Sequence, residues 1–331
     1  MTTNFLRRST RILVVNPNSS KSMTHGVEQA IASMQLADVR HTTPFLAHCF
    51  TKTTHFDPFP LVNVAIQANK PPTKQTTEIY TYTAPPESPP SINNGDDVLR
   101  SADIVYKNLT TPDPQTGLSP LADYDAVLVA CFSVHPLVER LADLEFPASP
   151  TLACPASTSS SSNHHSVPKR KLCVTGIFEA GVLASLSLVT TPPLNTVPPR
   201  KWGIVTTGKW WEAHLTQGVN TFLGVDPKSL NDKFAGVETT GLDAGDFHGG
   251  VSPEVIRQKL TEATKRLLSQ GAVDCVVMGC AGMAGLEEII RSAAIEKYGE
   301  EQGKQVCIVD GVRAGVGLLE DMVRNRRMFT Q

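Results

Sequence analysis

Two stretches of this chain, far apart in sequence, follow one plan, and that repeat limits the fold more than any other feature. Asp125 precedes the apolar run Ala126-Val127-Leu128-Val129-Ala130, which delivers Cys131 and then Phe132-Ser133. Asp274 precedes Cys275-Val276-Val277-Met278-Gly279, which delivers Cys280 and then Ala281-Gly282. A short apolar run bounded in this way suits a fully buried parallel strand. Each cysteine would then sit at the carboxyl end of its strand, where open α/β sheets place their ligand sites. Two matched thiols facing one cleft is the expectation that organises the rest.

The remaining segments alternate in the same manner. Residues 11–15 (RILVV) read as a first strand and Asn16-Pro17-Asn18-Ser19-Ser20 as its turn, with Ser22 or Thr24 capping a helix through Val27, Ala30, Ile31 and Met34. Residues 98–109 and 137–144 read as helices on either side of the Cys131 strand. A strand over 171–175 and an apolar helix over 177–188 follow, and Pro192, Pro193, Pro198 and Pro199 then break the chain. Residues 202–207 open a second series: a helix over 210–222, another over 255–268, the Cys280 strand, a helix over 286–294, a strand over 306–309 and a final helix from 312 to 323. The pair "opening strand, then cysteine strand" thus occurs twice, which predicts a duplicated α/β unit, each copy with a mainly parallel sheet. The expected division is residues 1–172 with 306–331 in a first lobe and 173–305 in a second, the closing strand and helix crossing back to the first. Residues 71–95 and 155–168 are rich in Pro, Thr, Ser and Asn without periodicity, and read as surface insertions.

Composition removes several functions. With 331 residues, 40% hydrophobic and 19% charged, the chain is globular and long enough for two domains. A net charge of −2 without a basic block points to neither nucleic acid nor an anionic membrane. No apolar run approaches the roughly 18–20 residues that span a bilayer. Seven cysteines without framework spacing fit free thiols in a reducing, cytoplasmic compartment. Asn163-His164-His165 lies in a polar stretch without the spacing of a metal site, so no metal is expected there. Residues 203–209 satisfy GxxxxGK, but Trp210 stands at the required Ser/Thr position, which argues against a phosphate cradle.

The cysteines carry the chemistry. A thiol at a strand-to-helix turn meets backbone N–H groups and the positive end of a helix, both of which lower its pKa toward neutrality. Two such thiols on opposite walls could take a proton from one face of a carbon and return one to the other, which is racemisation without a cofactor. The carbon acid needs a neighbouring carbonyl, and the enolate oxygen needs donors. Asn16, Ser133, Thr206, Thr207 and the turn amides are candidates. Bland readings stand beside these. Buried cysteines are mostly packing, which is the expected role of Cys49, Cys154, Cys173, Cys275 and Cys307. Asn16 taken alone reads as a turn brace. Glu179 reads as a partly exposed or buried polar contact, and Asp125 and Asp274 as strand starts. The odd offset between Cys275 and Cys280 places them on opposite faces of a strand, which disfavours a shared zinc.

With these residues in place, the chain resembles the Asp/Glu racemase superfamily, and within it the hydantoin/allantoin racemase branch. The matching stretches are ILVVNPNSSKSMT, VLVACFS, TGIFEA, GIVTTGKWWE, VVMGCAGM and IVDGV, in that order. The resemblance implies two pseudo-symmetric Rossmann-like lobes with the active site in the cleft between them, no cofactor, and a homo-oligomer. It implies that Cys131 and Cys280 are the catalytic pair. Asn16, Ser133, Thr206 and Thr207, with the amides of Ala281 and Gly282, would bind the substrate, and Phe132 and Met283 would shape the pocket. The implied activity is racemisation of allantoin or a 5-monosubstituted hydantoin, within purine and nitrogen catabolism. The alternatives are an amino-acid racemase for Asp or Glu, a maleate-type cis–trans isomerase with one nucleophilic cysteine, and a non-catalytic metabolite-binding protein.

Overall fold

The computed structural model describes residues 9–34, 39–42, 77–114, 117–147, 169–189, 200–226, 229 and 231–330. Strand β1 (Thr10–Asn16) is apolar on both faces, as a central parallel strand must be. It leads into helix α1 (Lys21–Ala32), whose cap is Ser20 rather than Ser22 or Thr24, its hydroxyl accepting the Met23 N–H. Strands β2 (Val39–Thr42) and β3 (Thr77–Thr83) follow, then helix α2 (Gly95–Thr110), β4 (Ala126–Val129), helix α3 (Pro136–Ala142), the short hairpin partners β5 (Glu145–Pro147) and β6 (Lys169–Lys171), and β7 (Cys173–Gly176). Helix α4 (Ile177–Val189) leads to β8 (Lys201–Thr206), helix α5 (Trp210–Leu223), β9 (Phe234–Thr239) and helix α6 (Pro253–Leu268). The chain ends with β10 (Val273–Met278), helices α7 (Glu287–Tyr298) and α8 (Glu300–Gln305), β11 (Cys307–Asp310) and helix α9 (Gly311–Phe329).

Two parallel sheets result, with orders β2-β3-β1-β4-β7 and β11-β10-β8-β9. Set side by side, β1 matches β8, β4 matches β10, β7 matches β11 and β3 matches β9. The duplication expected from the cysteine strands is therefore a duplication of whole sheets, and the α/β class with mainly parallel strands is as read.

Three differences from the sequence reading have physical causes. Thr77–Thr83, placed in an insertion over 71–95, is instead a central strand between β2 and β1. Its alternation of threonine with tyrosine and isoleucine reads as polar, yet buried Thr77, Ile79 and Tyr82 face the interior. The other insertion, 155–168, lies outside the described residues, as do Cys49, Cys154 and Pro192–199. The strands at the lobe boundary also change sides: β7 pairs with β4 and belongs to the first sheet, while β11 pairs with β10 and stays in the second. Sheet membership is set by backbone pairing, which leaves no mark in a run of apolar side chains.

The helices after those two strands make the exchange. Helix α4 leaves the first sheet and packs on β8, β10 and β11 of the second, while α9 leaves the second and packs on β1, β4 and β7 of the first. Gly315 of α9 lies directly on Leu128 of β4, so that a side chain at 315 would force Leu128 to shift. One core runs through both crossovers, joining Leu128, Val316 and Leu319 to Phe178, Val182, Trp202 and Val277. The two sheets are thereby tied at the same end, beside the carboxyl termini of β4 and β10.

Candidate active site

The cysteine strands end on one narrow cleft, lined by Asn18, Met23, Ile92, Ala130, Cys131, Phe132, Thr207, Trp211, Ala244, Gly279, Cys280 and Ala281. Cys131 arrives from the first sheet and Cys280 from the second, and both keep some surface open to the cleft. Cys275, five residues before Cys280, is fully buried on the opposite face of β10 against the shared core.

The two thiols are held differently. Cys131 Sγ lies 3.4 Å from the Ser133 hydroxyl, inside a tight turn closed by the Ser133 N–H on the Cys131 carbonyl. Cys280 starts a single 3-10 turn over Ala281–Met283 and its Sγ accepts the Gly282 N–H at 3.3 Å. Burial pushes the Cys131 thiol up to about 12, countered in part by Ser133 and reinforced by the neighbouring Cys280 and Glu179. Burial pushes Cys280 up to about 11, countered by the Gly282 and Met283 amides. The direction is opposite to that expected from turn amides and a helix dipole, because loss of solvent around the thiolate outweighs a few hydrogen bonds. At neutral pH both thiols are protonated. They interact electrostatically, which fits one ligand between them.

The strand-end residues divide into two layers. Asn16 is buried and spends its Nδ2 on Asn18 Oδ1, the Ser20 carbonyl and Thr24 Oγ1, at 3.1, 3.0 and 2.9 Å. It braces the turn from behind, and Asn18 is the residue of that turn that lines the cleft. Thr206 likewise stands behind the wall, its hydroxyl donating to the Gly279 carbonyl at 2.6 Å, while Thr207 lines the cleft. A Cβ at Gly279 would lie 2.7 Å from both Ile204 Cγ2 and Thr206 Cβ, so only glycine lets the ends of β8 and β10 close this tightly. Ser133 is fully buried behind Cys131, Gly282 serves the Cys280 thiol, and Met283 is packed in the second sheet's core. Phe132 and Ala281 reach the cleft as expected, and Phe132 also meets Phe178 of α4 edge-on at 5.6 Å.

Met23, Ile92, Trp211 and Ala244 were not visible as site residues in the sequence. Met23 could have been found, since it falls one turn after the Asn-Pro-Asn-Ser-Ser turn. Ile92 sits in the 84–94 loop that carries no motif. Glu179, near Cys131, has its carboxyl raised by burial even though Oε2 accepts the Gly176 N–H at 3.0 Å. His248 Nε2 is buried without a hydrogen-bond partner behind Gly282. Among the described residues no group of three or more His, Cys, Asp or Glu is placed to hold a metal ion, and no helix is long and apolar enough to cross a membrane.

Comparison with known proteins gives the fold and a partial family match. Residues 167–319 match the family model described as Asp/Glu/Hydantoin racemase. Uncharacterized protein C1F7.10 of Schizosaccharomyces pombe is 28% identical over 320 residues, covering 97% of this chain and 94% of its own. Allantoin racemase from Klebsiella pneumoniae superimposes with a TM-score of 0.58 at 20% identity, covering 96% of this chain and 88% of that one. The allantoin racemase of Pseudomonas fluorescens gives 0.56 at 21% identity, with 95% and 91% covered. At these identities the likeness to the solved structures is one of fold.

Proposed function

We propose that this protein, whose residues 167–319 match the Asp/Glu/Hydantoin racemase family model, is a cofactor-independent racemase acting at C5 of a hydantoin ring by proton transfer between Cys131 and Cys280. The observation that carries the reading is that thiols from two different sheets line one cleft. The hydantoin C5–H is acidified by the adjacent ring carbonyl, so its removal leaves an enolate rather than a bare carbanion. One cysteine, as thiolate, removes the proton from one face, and the other, as thiol, returns one to the opposite face. The developing enolate oxygen takes hydrogen bonds from donors at the strand ends, with the Asn18 amide well placed. That amide currently donates to the Met23 thioether at 3.2 Å, a weak acceptor that a ligand oxygen readily displaces.

Among the described residues, those that line the cleft include no Lys or Arg. Two carboxylates of aspartate or glutamate would enter without a cationic partner, an expensive burial, which favours an uncharged ring over an amino acid. The family domain and the allantoin racemase fold support the same reading.

The test is to incubate one enantiomer of allantoin and of several 5-monosubstituted hydantoins with the protein in D2O. Optical rotation and the C5–H signal are followed against enzyme-free controls, because allantoin racemises slowly unaided. Rotation lost together with deuterium gained, above background, with the loss of rotation absent in Cys131→Ser and Cys280→Ser, supports the reading. Exchange with no hydantoin, or a covalent adduct on Cys131, removes it.

A further inference from the structure

The cleft is poor in hydrogen-bond acceptors. Among its described lining side chains only Asn18, Thr207 and the Trp211 indole carry nitrogen or oxygen, and the indole N–H can only donate. Asn18 Oδ1 already accepts the Asn16 amide at 3.1 Å and the Ser20 N–H at 3.0 Å, which leaves it nothing for a ligand. Several backbone carbonyls around the two thiols are also engaged. The Gly279 carbonyl takes the Thr206 hydroxyl at 2.6 Å, and the carbonyls of Cys131, Cys280 and Ala281 accept the N–H groups of Ser133, Met283 and Ala284. The Thr207 hydroxyl is therefore the main side-chain acceptor facing a bound ring, and the ring's own N–H groups claim it first.

Beside this shortage stands a firm apolar wall. Ile92 and Trp211 are both nearly buried and come from opposite halves of the molecule. Trp211 is backed edge-on by Trp210, with ring centroids 4.8 Å apart, and Trp210 stacks on His214 at 4.6 Å. Trp210 also rests on Gly95, where a Cβ would lie 3.4 Å from its ring, and Gly95 opens the helix that follows the Ile92 loop. That loop is pinned by the Asn93 N–H on Asp97 and by the Asn94 cap on the Asp97 N–H, both at 3.0 Å. The wall is thus locked across the two sheets and has no polar atom to turn inward apart from the indole N–H.

We propose that Ile92 and Trp211 are specificity-determining residues that select hydantoins with an apolar C5 substituent over allantoin. The proposal rests on the racemase reading for its kinetic arm. The allantoin ureido group brings several N–H donors against a wall whose side chains, Ile92 and Trp211, carry no acceptor, and each unpaired donor loses the hydrogen bonds it had in water. An isobutyl or benzyl substituent has none to lose and gains contact with the Ile92 and Trp211 side chains. An apolar site discriminates in this sense through the partners it withholds.

The experiment compares 5-isobutylhydantoin, 5-benzylhydantoin and allantoin, each as one enantiomer, by kcat/KM for loss of optical rotation above background. The expected result is at least a tenfold preference for the alkyl and benzyl compounds. Ile92→Asn, which adds an acceptor to the wall, should reduce that preference, and Trp211→Phe should keep it while lowering the rate on the benzyl compound. Equal or better turnover of allantoin by the unaltered protein overturns the proposal and leaves the racemase reading standing. Turnover of none of the three removes the racemase reading. Calorimetric binding of the same compounds to the Cys131→Ser/Cys280→Ser protein then decides the selectivity alone. Tenfold tighter binding of the apolar compounds supports the wall's role, and equal binding overturns it.

Discussion

The two sheets share a strand order and a cysteine position, yet they anchor their strand ends by different means. In the first sheet the end of β1 is tied down by a network around Asn16, which brings Asn18, Ser20 and Thr24 into one buried knot. In the second the end of β8 is held by separate side-chain bonds, Thr206 to the Gly279 carbonyl and Thr240 to the Thr207 carbonyl. The thiols diverge in the same way: Cys131 faces a hydroxyl that can rotate, Cys280 a fixed backbone amide. Backbone duplication therefore supplies the symmetry of placement, while side chains break the symmetry of chemistry. A reaction that must work in both directions needs the first, and its two half-steps need not share the second.

Serine in place of each cysteine breaks the comparison most severely. Cys131→Ser and Cys280→Ser should each lower racemisation about a thousandfold or more, within the usual range for losing a general acid or base. Each single variant should still exchange the C5 hydrogen of one enantiomer with solvent, and opposite enantiomers should survive in the two variants. Proton NMR in D2O reads this, and identical enantiomer preference in both would sink the two-sided assignment.

The helix exchange comes next. Phe178 of α4 is fully buried, with its ring 5.6 Å from Phe132 and 6.5 Å from Phe222. Phe178→Ala should cost about 3–5 kcal/mol by thermal or denaturant unfolding. A loss below about 1 kcal/mol would mean that the crossover packing does not join the halves energetically.

A third test sets the thiols against each other. With Cys280 at about 11 and Cys131 at about 12, Cys280 should be alkylated by iodoacetamide about tenfold faster between pH 8 and 10, by peptide mass mapping. The sign for stability follows from the same shifts. The folded chain holds these protons more tightly than an unfolded one, whose thiols titrate near 9.0, so their contribution is complete below that pH and lost as pH climbs toward 11 and 12. Stability that rises over this interval would contradict burial as the cause.

The smallest expected effect is the contrast between the two anchors. Asn16→Ala removes four buried hydrogen bonds and leaves the Asn18 N–H without its acceptor, whereas Thr206→Val removes one bond to a carbonyl, so the first should destabilise by about 1 kcal/mol more than the second. Equal losses in matched unfolding curves would show that the two strand ends are held alike.

Much of the fold was legible because its signals are local. An apolar run of strand length followed by cysteine and small residues, found twice, is enough for an α/β chain with paired ligand-facing ends. The helices around Val98, Phe178 and Val255 announce themselves by spacing. Thr77–Thr83 escaped because its hydroxyls and tyrosines imitate a polar loop. Phe234–Thr239 escaped because Gly236, with φ 104, interrupts it.

What the sequence determined by itself is the kind of parts and their repetition: two cysteine strand ends, two opening strands, one class of fold. Tertiary structure alone decided which sheet β7 and β11 join, that Asn18 rather than Asn16 lines the cleft, and that both thiols hold their protons. The reason is common to all three. Strand pairing, burial and desolvation are sums over neighbours brought from anywhere in the chain, and no local pattern carries that sum.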